Sequence, residues 1–196
     1  MNLANQLTIS RIILTFVFMA FLFSGGVAAK VMALVTFLIA SLTDFLDGFI
    51  AKHHNMTSDF GKLMDPIADK ILVLAAFLAF VEMKLIPAWM ILVIVLREVT
   101  VTGLRIAAMG QHKVIAADDG GKHKMVSQIL SIFTILLFII FREAGMKIFE
   151  FWTPGAERIY RDAIFLLMSV TVSLTVISGA SYLLKNKEVW ANVKKN

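Results

Sequence analysis

Four aspartates in an otherwise apolar chain fall on two helical rhythms. Asp44 and Asp47 are three residues apart, and Asp65 and Asp69 are four apart. Such spacings project side chains from one face of a helix, so packing the two helices together would bring four carboxylates to one place. Two ionised carboxylates about 4 Å apart repel by roughly 4 kcal/mol at a protein-like effective dielectric, and by more where water is scarce. Cations must offset that repulsion. The donors are all oxygen and the chain has no cysteine, a set that suits Mg²⁺, Mn²⁺ or Ca²⁺ rather than zinc. Two divalent ions would neutralise the four aspartates and leave coordination positions open for phosphate oxygens, so metal-assisted phosphoryl chemistry is the leading expectation. Gly48 and Gly61 lack a Cβ and let backbone approach a nucleotide or phosphate closely, and Ala51 keeps the same helix face thin.

Long apolar runs must position these residues. Of 196 residues 59% are hydrophobic and 17% charged, and the mean hydropathy is +0.81, the composition of an integral membrane protein. The runs predict six transmembrane helices, about Ile9 to Phe23, Ala29 to Ala51, Leu63 to Val81, Pro87 to Met109, Met125 to Phe141 and Ile164 to Leu184. The expected fold is all-α, a polytopic bundle of six transmembrane helices with residues 1–196 as a single domain. Val27-Ala28-Ala29 resembles a signal cleavage site, but the later spans make a retained first helix the more economical reading.

Asp65, Asp69, Arg97, Glu98 and Arg105 fall at membrane depth, where polar groups must face protein or a water-filled cavity. Arg97 can stay charged there only with a partner, either Glu98 or a bound phosphate. Arg97 and Arg105, eight residues apart, are expected on roughly one face. Lysine and arginine favour cytoplasmic termini, with Arg11, Lys52, Lys62, Lys113, Lys122, Lys124, Lys185, Lys187, Lys194 and Lys195 on the inner side against Lys30, Lys84, Arg142, Lys147, Arg158 and Arg161 outside. That orientation puts the aspartates at the cytoplasmic edge of the membrane. Phe149, Phe151, Trp152 and Tyr160 read as an interfacial aromatic belt on the outer side. Asp118 and Asp119 before Gly120-Gly121 read as a turn leading into the fifth helix. Ser169, Ser173, Thr175, Ser178, Gly179 and Ser181 form a small polar stripe that lines either the bundle interior or a dimer contact.

The stretch from Asp44 to Asp69 fits D-x-x-D-G-x-x-A-R, a spacer, then G-x-x-x-D-x-x-x-D, and so resembles the CDP-alcohol phosphotransferase family of membrane enzymes. Asp44, Asp47, Gly48, Ala51, Gly61, Asp65 and Asp69 occupy fixed positions of that motif, and Lys52 stands where the family usually has arginine. Charge survives there, but the planar bidentate fork does not. Asn5-Gln6-Leu7-Thr8 with Arg11, Asp65-Pro66-Ile67-Ala68-Asp69-Lys70, and Arg97-Glu98 through Arg105 to Gly121-Lys122-His123-Lys124 with Gln128 add a narrower likeness to the branch whose acceptor is sn-glycerol 3-phosphate.

The resemblance implies that an acceptor hydroxyl attacks the phosphatidyl-bearing phosphorus of CDP-diacylglycerol and that CMP leaves, giving phosphatidylglycerophosphate. It implies Asp44, Asp47, Asp65 and Asp69 as ligands of two Mg²⁺ or Mn²⁺ ions, with Asp69 also the catalytic base. Asn5, Thr8, Gly48, Ala51, Lys52 and Gly61 would contact CDP-diacylglycerol, and Arg97, Arg105, Lys122 and Lys124 the phosphate of sn-glycerol 3-phosphate. It further implies membrane lipids and a second copy in a homodimer as partners, no nucleic acid, and a multi-pass place in the cell membrane. Sibling chemistry with serine, inositol phosphate or phosphatidylglycerol as acceptor stays open. So does a cation-coupled transporter, since intramembrane carboxylates also build ion pathways.

Overall fold

The computed structural model describes residues 3–50, 59–110, 119–148 and 152–186, with side chains over 9–43, 70–106, 108, 124–148 and 152–186. Six helices follow one another: α1 (Leu3–Phe23), α2 (Val27–Ile50), α3 (Asp59–Glu82), α4 (Ala88–Gly110), α5 (Asp119–Lys147) and α6 (Pro154–Lys185). Each predicted apolar run overlaps one of them; Pro87 precedes α4, and Ala51 lies outside the described residues. They are 21 to 32 residues long, roughly 30 to 48 Å at 1.5 Å per residue, against a hydrocarbon core of about 30 Å. Lys124–Lys147 and Pro154–Lys185 are long and apolar enough to cross a membrane, and Ile9–Phe23 and Val27–Thr43 are shorter apolar stretches.

Every helix turns a large apolar side chain outward. Phe16, Leu42, Leu78, Val99, Val126 and Leu166, one from each helix, are all more than half exposed. Such a belt would cost roughly 25 cal/mol per Å² in water and nothing comparable among lipid tails. The inner faces pack as a continuous core. Phe18, Phe37, Phe77 and Phe80 have no exposed surface, and the Phe18 and Phe37 rings meet between α1 and α2 at 5.9 Å, tilted by 49°. Ala33 and Ala40 on α2 and Ala76 and Ala79 on α3 are buried, and their small size lets helices approach closely. The fold is that of a helical membrane protein.

Contacts between helices close a circuit in the order α1, α2, α5, α6, α4, α3 and back to α1, with α3 also reaching α2 and α5. At the end where α1 meets α2, Gly26 adopts φ 97°, a left-handed conformation that favours glycine. Its N–H donates to Glu143 Oε1 at 2.9 Å. Lys30 Nζ donates to the carbonyls of Leu22 at 2.5 Å and Ser24 at 2.8 Å, satisfying acceptors that the end of α1 would otherwise leave open. At the same end α6 starts on Thr153, whose hydroxyl accepts from the Ala156 N–H at 3.2 Å, with Pro154 in the first turn. Glu157 accepts from Arg142 Nε and Trp152 Nε1, both at 2.9 Å, and from Arg161 Nε at 3.0 Å. Arg161 in turn donates to the Lys84 carbonyl in the α3–α4 turn at 3.0 Å.

Three expectations change. Tyr160 is buried rather than interfacial, because its ring packs edge-on against Phe138 at 5.1 Å and Trp152 at 5.7 Å; Phe149 and Phe151 lie outside the described residues. Asp119, Gly120 and Gly121 form the first turn of α5 rather than a turn before it, where glycine weakens a helix least because the first N–H groups are unbonded anyway; Asp118 lies outside the described residues. The small polar stripe of α6 divides: Thr175, Ser178 and Gly179 face the interior while Ser173 is exposed. Val27, Ala28 and Ala29 open α2, and α1 before them contributes Phe18 and Leu22 to the core.

Candidate active site

The end of the bundle opposite the Glu157 network gathers the motif. Asp44, Asp47 and Gly48 lie in the last turns of α2 and Gly61, Asp65 and Asp69 in the first turns of α3, two helices that touch. Asp44 is six residues from the end of α2 and Asp65 six from the start of α3, each about 9 Å along its axis. The two pairs therefore start from comparable depth at one end of neighbouring helices. Asn5 and Thr8 belong to the first turns of α1, and Lys122 to the first turn of α5. Ala51 and Lys52 lie outside the described residues, as do the side chains of Asn5, Thr8, the four aspartates and Lys122.

Immediately beyond Asp69 a set of charged side chains meets inside the bundle. Glu98 of α4 is its hub. One carboxylate oxygen, Oε1, pairs with Lys124 Nζ of α5 and lies 3.4 Å from Arg97 Nη1; the other, Oε2, lies 3.4 Å from Lys70 Nζ of α3. The Glu98 and Lys124 side chains are 9% and 8% exposed. Lys70 also hydrogen-bonds the Thr102 hydroxyl. Arg97 Nη2 donates to Ser178 Oγ of α6 at 2.9 Å. Four helices thus hold three cations around one carboxylate, a surplus of two positive charges among the described residues.

That surplus matters because buried charge is expensive. Leaving one charge uncompensated in a protein interior costs about 3 to 5 kcal/mol, so a site with excess cations is stabilised by an incoming anion. Donors stand ready for one. Arg97 Nε and Gln128 Nε2 are buried with no hydrogen-bond partner among the described residues. Gln128 is also buried and lies one turn after Lys124, on the same face of α5. Arg97 is fitted closely to α6: a Cβ on Gly179 would fall 2.8 Å from Arg97 Cγ. Only glycine leaves room for the arginine stem there.

Of the basic residues singled out in the sequence, Arg97 and Lys124 come together, although they belong to different helices. Arg105 is exposed and pairs with none of these charged groups among the described residues. Eight residues amount to about 800° of helical rotation, leaving Arg105 about 80° off the direction of Arg97. The expectation that the two share a face is corrected accordingly. Of the two partners expected for Arg97, Glu98 lies beside it, with 3.4 Å between Nη1 and Oε1. Lys70 and Ser178 were not among the acceptor candidates. For Lys70 the signal was a lysine opening the apolar run of α3, a position that demands a partner.

Comparison with known proteins shows the family. Residues 1–191 match the family described as CDP-alcohol phosphatidyltransferase. A Bacillus subtilis protein named CDP-diacylglycerol–glycerol-3-phosphate 3-phosphatidyltransferase is 37% identical, covering 95% of this chain and 96% of its own length. A Rickettsia felis protein of the same name is 33% identical over 92% of this chain and 93% of its own. A Mycobacterium tuberculosis protein named probable phosphatidylglycerophosphate synthase is 35% identical, covering 92% of this chain and 79% of its own length. The chain belongs to the CDP-alcohol phosphatidyltransferase family of membrane transferases in phospholipid biosynthesis.

Proposed function

We propose that this protein transfers the phosphatidyl group of CDP-diacylglycerol to sn-glycerol 3-phosphate, releasing CMP and forming phosphatidylglycerophosphate. The observation that carries the acceptor is the surplus-positive cluster of Lys70, Arg97 and Lys124, which starts one residue after Asp69 on α3. The names of the relatives in Bacillus and Rickettsia support the same reaction. A phosphomonoester fits such a pocket; an acceptor without a phosphate leaves its cations unmatched.

Asp44, Asp47, Asp65 and Asp69 suit hard divalent ions: all four donors are carboxylates, carried at similar depth by two touching helices. When bound, two Mg²⁺ or Mn²⁺ ions would supply neutralising charge for the pyrophosphate and its leaving oxygen. Lys70, Arg97 and Lys124 bind the acceptor phosphate and so orient its free hydroxyl toward the lipid pyrophosphate. The hydroxyl oxygen forms a bond to the phosphatidyl phosphorus as the bond to CMP breaks. CMP departs with the electron pair, and the hydroxyl proton passes to Asp69. Gly48, Ala51 and Gly61 leave space for the nucleotide end, where Asn5, Thr8 and Lys52 add polar contacts. The whole chain acts as one six-span membrane domain, working as a homodimer with this site at the cytoplasmic edge, where a water-soluble acceptor meets a lipid donor.

The test is CMP release by purified protein with CDP-diacylglycerol, Mg²⁺ or Mn²⁺, and one alcohol at a time. Turnover with sn-glycerol 3-phosphate is the expected result; turnover only with serine, inositol phosphate or phosphatidylglycerol overturns the acceptor assignment. Cation flux into sealed vesicles with no CMP release from any alcohol would favour a transporter.

A further inference from the structure

Glu98 is an unusual residue to find at the centre of an anion site. A carboxylate facing the acceptor phosphate repels it, and the simplest way to bind a dianion would be to omit it. Yet Glu98 is the only acidic side chain that bridges Lys70, Arg97 and Lys124 among the described residues. Its two oxygens divide the work: Oε1 serves Lys124 and Arg97, and Oε2 serves Lys70. The three cations come from α3, α4 and α5, and without a shared counter-ion like charges would push them apart. Lysine and arginine side chains also lose rotamer freedom when fixed, so holding them before substrate arrives moves that cost out of the binding step.

We propose that Glu98 is the positioning residue of the acceptor pocket: it holds the three cations within reach of one phosphate and sets the pocket's surplus at two charges, matched to a phosphomonoester dianion. This rests on the acceptor reading given above and deepens it. Glu98 does not touch the reacting atoms and takes no part in proton transfer. Its partner residues do the binding, and its oxygens fix where they do so. Ser178 on α6 completes the arrangement by holding the second Arg97 nitrogen at 2.9 Å.

The experiment compares the full-length protein with Glu98→Gln, Glu98→Asp and Lys124→Met, all purified in detergent. Steady-state kinetics are measured with each substrate varied in turn, and sn-glycerol 3-phosphate binding is measured by calorimetry. Glu98→Gln is expected to raise the acceptor KM at least tenfold, with kcat within threefold and the lipid KM unmoved. Glu98→Asp keeps the charge on a shorter stem and is expected to recover part of that loss. An acceptor KM that stays level or falls in Glu98→Gln, as an unopposed gain of positive charge would produce, overturns the proposal. If Glu98→Gln does not fold, Glu98→Asp decides alone: an acceptor KM raised threefold or more supports positioning, and an unchanged one refutes it. Lys124→Met separates the two levels of inference. If it raises the acceptor KM while the Glu98 variants do not, only the positioning role fails; if it raises the lipid KM instead, the acceptor pocket itself is misassigned.

Discussion

Gly179→Ala is the sharpest perturbation of the proposed acceptor pocket, because it adds one methyl group on a helix that carries none of the four aspartates. The new Cβ would lie 2.8 Å from Arg97 Cγ, about 0.6 Å inside the 3.4 Å at which ordinary contact begins. Cγ sits near the root of the side chain, so the whole arginine must swing to clear it. The displacement grows toward the guanidinium, enough to break the 2.9 Å bond from Nη2 to Ser178 and to lengthen the 3.4 Å approach to Glu98. A hydrogen bond to a charged group contributes about 1.5 to 3 kcal/mol, and each 1.4 kcal/mol is a factor of ten. The acceptor KM should therefore rise roughly 10- to 100-fold. CMP release is followed with sn-glycerol 3-phosphate varied at saturating CDP-diacylglycerol. Overpacking and the lost Ser178 bond outweigh the roughly 1 kcal/mol by which alanine exceeds glycine as a helix former, so the thermal midpoint should fall by a few degrees while the lipid KM stays level, which separates a local effect from general damage. An acceptor KM within twofold of the unaltered protein, in a variant that folds, would refute the close-fit argument.

Other perturbations test neighbouring parts. Asp65→Asn should abolish CMP release while the protein still elutes as a folded species, and persistent turnover would remove Asp65 from the metal site. Chelation with EDTA should stop turnover, and Mg²⁺ or Mn²⁺ should restore it; activity unaffected by chelator would refute metal assistance. Lys70→Met should raise the acceptor KM about tenfold, the worth of one charged contact, and leave the lipid KM alone. Glu157→Gln loosens the partly exposed Arg142, Trp152 and Arg161 network, worth about 1 to 2 kcal/mol after solvent screening. Its thermal midpoint in detergent should fall by roughly 2 to 8 °C with turnover at 25 °C unchanged.

The number of helices and their apolar centres were legible because membrane spans are long and uninterrupted, and hydropathy reports that property directly. Their ends were less so. Hydropathy places the last span from Ile164, whereas α6 starts ten residues earlier at Pro154. The extra turns are polar, and they are held by Thr153 at the cap and Glu157 among the arginines. The Thr-Pro pair followed by an acid was a visible start signal that the apolar pattern outweighed. Tyr160 was misplaced for a related reason: an aromatic residue near a span end suits the interface equally well, and only packing against Phe138 decides the matter. The aspartate spacing was legible because it lies within single helices. The basic cluster was only half legible, because Lys70, Glu98 and Lys124 occupy three different helices and periodicity along one helix says nothing about its neighbours.

The contact circuit has a consequence for how the chain is made. α1, α2 and α3 all touch one another, so this trio can assemble while later segments are still being synthesised. It already carries Asp44, Asp47, Asp65 and Asp69. The cluster of Lys70, Arg97, Glu98 and Lys124 must wait for α4 and α5, and Arg97 gains its Ser178 partner only when α6 packs against both. A nascent chain halted in the α3–α4 turn would carry the complete aspartate set without Arg97, Glu98 and Lys124. The enzyme is thus built in the membrane from its carboxylate end toward its basic end, and the last helix to arrive is the one that locks the arginine in place.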